Sequence, residues 1–150
     1  MADDQVLQDD YFGARQKRLA EANRLNRATV LSALAGAGIT EVTVEFDGSS
    51  DDGFIGEVLA HAHGSRATMP TSLIRRYRAG LRDNEPFEVS ELHLAGAIEE
   101  LCWGYLEEQY DGWENNEGAF GEFRFHVSRG TIEIEINQRV VEVETHRCVV

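Results

Sequence analysis

Residues 111–122, DGWENNEGAFGE, gather Asp111, Glu114, Asn115, Asn116, Glu117 and Glu122 into one short segment bent by glycine. Carboxylate, amide and backbone carbonyl oxygens converging on such a loop are what a hard cation such as calcium or magnesium requires. A second acidic loop, DGSSDDG at 47–53, adds Asp47, Asp51 and Asp52. Its Asp47, Ser49 and Asp51 fall at the first, third and fifth places of an EF-hand loop, but Asp52 stands where the glycine belongs and Val58 where the bidentate glutamate belongs. The loop is therefore not an EF-hand. A metal site has to draw on both loops, with Asp47, Asp51, Glu114 and Asn116 as its ligands. Two other readings of 111–122 stand beside this one. The first is a tight turn in which Asn and Gly supply left-handed backbone while Trp113 packs over the sheet edge. The second is a partner-binding loop.

Other chemistry finds less support. In HAH, His61 and His63 would share one face of a strand, but two imidazoles without a third ligand do not make a zinc site. No GxSxG elbow or phosphate-binding glycine loop occurs, and Cys102 falls on a helical face without a base, so Ser or Cys hydrolysis is disfavoured. Adjacent carboxylates such as Glu107 and Glu108 diverge by about 100° on a helix and do not form an acid/base couple. The run LIRRYRAGLR, with Arg75, Arg76 and Arg78, could grip a phosphate or neutralise the protein's own acidic face; the second reading is favoured. Nothing in these residues demands catalysis, so the reading leans away from an enzyme.

The charge says more. With 27 acidic and 14 basic residues the net charge is −13, which argues against direct nucleic-acid binding, since that affinity comes from Lys and Arg displacing counterions. From Asp83 to Phe123 there are twelve carboxylates and neither Lys nor Arg. Such a surface suits a basic partner, with Glu100, Glu107, Glu108, Trp113, Glu114 and Glu117 as its contact residues. Two cysteines without ligand spacing, no apolar run near the ~20 residues that cross a bilayer, and an acidic start lacking the features of a secretory signal point to the cytoplasm, with no membrane contact. Residues 1–13 read as a flexible acidic lead-in and 14–150 as one domain.

The elements that must position these residues follow from periodicity. Leu19, Ala22, Leu25, Ala28, Leu31 and Leu34 predict a helix over 14–36, ended at Gly36 or Gly38. Strands follow at ITEVTVEF and FIGEVLAHAHG, and residues 70–82 suit either a strand or a short helix. PFEVSEL leads into a second helix with Ser90 as N-cap and a core face of Leu94, Ile98, Leu101 and Tyr105. The alternation in TIEIEINQRVVEVET closes an antiparallel hairpin with GEFRFHV. The fold expected is α+β: a two-layer domain, two main helices packed on one face of an antiparallel sheet.

The segment LxGAIEELCWGYLEEQYDGWENNEGAFGEFRF, preceded by AGITEVTVEFDGSSDDGFI, resembles an uncharacterised family of small plasmid and mobile-element proteins of α-proteobacteria. That family carries a Gly-Trp-Glu-Asn-Asn-x-Gly motif after a helix. The matching positions are Asp47, Gly48, Asp51, Gly53, Gly112, Trp113, Glu114, Asn115, Asn116, Gly118, Gly121 and Glu122, while Asp52 departs from the serine of the family pattern. The resemblance implies a mobile-element setting and a paired-loop site, and no activity. Together these readings lead to an acidic, non-enzymatic module from a phage or plasmid. It would bind a basic host or element protein, as an anti-CRISPR-like inhibitor of a nucleic-acid-binding defence complex does, and need no cofactor. The alternative is a divalent-metal domain using loops 47–53 and 111–122, holding calcium or magnesium either structurally or for phosphoester chemistry through a metal-bound water.

Overall fold

The computed structural model describes residues 2–49, 52–82, 85–114 and 117–150, with backbone only for 2–12, 81, 82 and 85. The chain is α+β, as its periodicities predict. In order it forms helix α1 (Ala2–Gly36), strands β1 (Glu41–Ser49), β2 (Asp52–Ala62), β3 (Ser65–Ala67), β4 (Leu73–Arg82) and β5 (Glu85–His93), helix α2 (Leu94–Gln109), and strands β6 (Ala119–His126) and β7 (Thr131–Gln138). Five strands make one antiparallel sheet in the order β3-β2-β1-β6-β7, and β4 pairs with β5 as a separate hairpin.

Alternation along β1 shows how the sequence selects a face. Val42, Val44 and Phe46 are buried while Glu45 and Asp47 point away, because successive side chains on a strand project to opposite sides. Phe123 and Phe125 of β6, Leu94, Ile98, Cys102 and Leu106 of α2, and Val30 and Leu34 of α1 complete one core. Helix α2 packs on β2 and on the β4–β5 hairpin, and α1 packs on β4 and α2.

Helix α1 ends where expected. Gly38 takes φ +76°, Ile39 N–H donates to the Leu34 carbonyl at 3.0 Å and Gly38 N–H to that of Ala35 at 3.0 Å. This is the Schellman arrangement, which satisfies carbonyls the helix leaves orphaned. At its other end the helical backbone starts at Ala2, twelve residues before the periodic segment that predicted it.

Two expectations are corrected. Ser90 is not an N-cap: β5 runs through it to His93, and α2 begins at Leu94 with His93 at the cap position and no side-chain cap. The reason is non-local. Arg75 lies opposite Glu91 and Arg78 opposite Glu88 across the hairpin, and opposed charges at facing positions favour pairing. His63 does not share a strand face with His61. It occupies, with Gly64, the two-residue turn between β2 and β3, at φ +51° and +84°, the left-handed pair that a type I′ hairpin needs.

One clamp joins the layers. The Asn26 amide on α1 donates from Nδ2 to the Tyr77 carbonyl and accepts from Tyr77 N–H at Oδ1, both at 2.8 Å. A single side chain thus replaces the neighbouring strand that the open edge of β4 lacks.

Candidate functional site

The two acidic loops meet at one end of the sheet. Gly48 of β1 and Gly53 of β2 are cross-strand partners, and the Trp113 indole lies on both. A methyl at Gly48 would fall 2.6 Å from its Cζ3 and one at Gly53 2.9 Å from its Cζ2. Phe46 meets the ring edge-on at 5.4 Å and Trp103 lies beside it at 5.8 Å. Trp113 is 5% exposed, so of the two roles open to it the structure shows the anchor. Gly118, at φ +77°, brings the returning chain against β1 so closely that a Cβ there would sit 1.7 Å from the Gly48 carbonyl oxygen. Gly48, Gly53 and Gly118 are thus spatial requirements of one joint.

Arg139, just past β7, closes that joint. Its Nη2 donates to Asp47 Oδ1 at 2.9 Å, its Nη1 to the Gly48 carbonyl at 3.1 Å, and its guanidinium lies 4.9 Å from the Phe120 ring centroid. Asp47 therefore has a cation already beside it. Of the metal ligands expected from the sequence, Asp51 and Asn116 lie outside the described residues. Glu114 is half-buried, its Cβ 2.9 Å from where a Gly48 Cβ would stand. Among the described residues no three His, Cys, Asp or Glu side chains converge closely enough to hold a metal ion.

Glu100, Glu107 and Glu108 of α2 line a cleft of about 520 Å³ between α1, β4 and α2, together with Leu19, Ile74, Trp103 and Tyr105. Glu100 is paired with Arg76 at 2.5 Å, so part of the arginine run neutralises the protein's own acidic face. Glu107 and Glu108 are exposed at the rim, and Glu117 is exposed in the following loop.

A feature the sequence reading missed lies on the solvent side of the main sheet. Glu45 of β1 stands opposite Glu122 of β6, which stands opposite Glu135 of β7. Facing side chains on paired strands lie about 5 Å apart at Cβ, and like charges there are destabilising. Glu122 is relieved by Arg124 at 3.5 Å, whereas Glu45 and Glu135 have no cationic partner among the described residues. One step along the strands, Phe54 and Phe120 flank Asp47 and are 66% and 43% exposed. The row and the two rings border a hollow of about 490 Å³. Each glutamate was visible in the sequence as the polar member of an alternating strand. The Glu122–Glu135 half of the row lies within the hairpin that the sequence predicts, but Glu45 joins it through a pairing of strands 77 residues apart at that point, for which no local signal exists.

Among the described residues no side chain resembles an activated nucleophile. Cys102 is fully buried, and burial together with the nearby Glu99 pushes its thiol well above the usual range. His61 Nε2 is 3.4 Å from Thr43 Oγ1 and His126 Nε2 is 3.2 Å from Glu133, both ordinary cross-strand contacts. Among the described residues no helix is long and apolar enough to cross a membrane.

Two helices over an antiparallel five-stranded sheet, with a separate two-stranded hairpin, define an α+β protein. The chain belongs to a family of unknown function, DUF6878, whose model matches residues 22–149. Comparison with curated proteins and with solved structures gave no match.

Proposed function

We propose that this chain is a non-enzymatic binding module that docks onto a basic surface of another protein through its acidic face. The observation that carries this reading is the row Glu45–Glu122–Glu135 beside the exposed Phe54 and Phe120. A sheet face serving only solubility gains nothing by stacking like charges laterally, whereas a partner's Lys or Arg side chains would relieve them while the two rings supply apolar anchors. The rim formed by Glu107 and Glu108 extends the negative field but has Glu100 already neutralised by Arg76, so the sheet face is the favoured contact. The concrete version of the partner is a host or mobile-element protein that itself binds nucleic acid, such as a defence complex, whose basic surface an acidic protein of net charge −13 would occupy.

Affinity capture with three versions of the chain tests this: wild type, Glu45→Lys/Glu122→Lys/Glu135→Lys, and Phe54→Ala/Phe120→Ala. A true partner is retained by the first and lost by both variants, and its association slows as salt rises. Proteins released by charge reversal but indifferent to loss of the rings are bound by ion exchange alone. Retention unaffected by either variant places the contact elsewhere, and reversal of Glu100, Glu107 and Glu108 then tests the α2 rim.

A further inference from the structure

Strand β7 is an edge of the main sheet, in unbroken register with β6 from Ala119–Gln138 to His126–Thr131. Its sequence TIEIEINQ has no proline, lysine or bulge to blunt that edge, and its charges, Glu133 and Glu135, both lie on the solvent face. The chain then continues in the same direction. Arg139 N–H donates to the Gly118 carbonyl at 3.0 Å, one step further along the same ladder. The Arg139 side chain is held on Asp47 and the Gly48 carbonyl, so the segment that follows leaves from an anchored residue. That segment, VVEVET at 140–145, alternates as a strand does, yet belongs to no sheet, with Val140, Val141 and Val143 at least 65% exposed.

We propose that β7 and residues 140–145 form one continuous pairing strand whose occupant is the same strand of a second copy, antiparallel across a two-fold axis. The open edge and the unpaired alternating segment belong to one strand, so a single isologous contact lets each copy's segment lie along the other's β7. No heterologous partner is needed to satisfy both. An axis perpendicular to the sheet keeps the solvent faces on one side, which yields a ten-stranded sheet bearing two Glu45–Glu122–Glu135 rows on a common surface. Because each chain carries −13, repulsion opposes this association and salt strengthens it. Docking of a basic partner has the opposite salt dependence, so the two interactions fail separately.

Sedimentation equilibrium of the full chain in reductant, which keeps the exposed Cys148 from bridging copies, tests the proposal across roughly 1 to 100 µM, where micromolar associations titrate. The expected result is a mass rising from 16.8 kDa toward twice that value, more readily at high salt. Val141→Lys/Val143→Lys, at exposed positions that leave the circular dichroism unchanged, restores the single-chain mass and removes hydrogen-exchange protection from β7 amides that do not bond to β6. A single-chain mass throughout overturns the proposal. So does a doubled mass that survives the double substitution with those amides exchanging freely, which would place the interface elsewhere.

Discussion

Trp113 rests on Gly48 so closely that a single methyl at the glycine would fall 2.6 Å from the indole. Ring and glycine therefore form one packing unit, and their substitutions are coupled. Trp113→Ala empties a buried site and is expected to cost about 3–5 kcal/mol. Gly48→Ala overfills it and is expected to cost about 1–3 kcal/mol. In the double variant the methyl enters the space the indole vacates, so the combined loss falls short of the sum. Urea denaturation of the four proteins measures the coupling; strict additivity would show that the ring does not press on Gly48.

Gly118 and Gly38 share a backbone conformation, φ +77° and +76°, but not surroundings. Alanine at Gly38 meets nothing within 4 Å and bears only the left-handed penalty, about 1–2 kcal/mol. Alanine at Gly118 must in addition displace the Gly48 carbonyl, which no rotamer change accomplishes. Its expected cost exceeds about 4 kcal/mol, in the range that marks a broken structural joint. Comparable melting temperatures for the two variants would contradict this.

These glycines also show what the sequence disclosed and what it withheld. The spacing of Leu94, Ile98 and Leu101 is enough to place the body of α2, and the alternation of Ile132, Ile134 and Ile136 the body of β7, because both signals are local; the same alternation, continued through VVEVET, carries the expected strand to Thr145, whereas β7 stops at Gln138. A metal site drawn from the loops at 47–53 and 111–122 requires them to be neighbours; the adjacency itself comes from the pairing of β1 with β6, which the structure supplies. The segment 85–93 misled because Ser90 followed by Glu91 imitates a helix start, while its true determinant is the arginines of β4 across the hairpin. Arg139 on Asp47 and Asn26 on Tyr77 join residues 92 and 51 positions apart. Such contacts are written in no window of sequence; they appear only once the strands are in register.

Arg139 makes the metal reading testable. With its guanidinium beside Asp47, millimolar Ca²⁺ or Mg²⁺ should leave the melting temperature where EDTA leaves it, because a ligand stabilises only if it binds the native state. Asp47→Asn removes a partly exposed pair and should cost under about 1 kcal/mol. Arg139→Ala should cost more, since it also abandons the Gly48 carbonyl and the Phe120 face. A clear upward shift with calcium in the wild type, abolished by Asp47→Asn, would support the two-loop metal site.

Asn26 offers a second long-range test. Replacing it with Leu keeps the bulk but strands the Tyr77 N–H and carbonyl at a part-buried edge, at an expected cost of about 1–3 kcal/mol. Asn26→Asp should be nearly as damaging, because a carboxylate still accepts from Tyr77 N–H but faces the carbonyl with a second acceptor. Hydrogen exchange at the Tyr77 amide locates the effect: it should accelerate strongly in Asn26→Leu and less in Asn26→Asp. Equal, slow exchange in all three proteins would mean that another group satisfies the edge.

The carboxylate row predicts a gain from substitution, which is unusual for a folded protein. Glu45 and Glu135 flank Glu122 at facing positions, and neither has a cationic partner among the described residues. Removing either charge as Glu45→Gln or Glu135→Gln should therefore raise stability by about 0.2–1 kcal/mol at low salt. The gain should shrink as the Debye length falls from about 10 Å at 0.1 M to about 3 Å at 1 M. Glu122→Gln should gain less, since it also gives up Arg124. The same substitutions should weaken capture of a basic partner, so that stability and binding move in opposite directions, as they do where a surface is shaped by contact and not by folding. Denaturant titrations at two salt concentrations, run beside the capture experiment, read both effects. If Glu45→Gln and Glu135→Gln are neutral or destabilising at low salt, the row is not under strain and the argument for a docking face on this side of the sheet is lost.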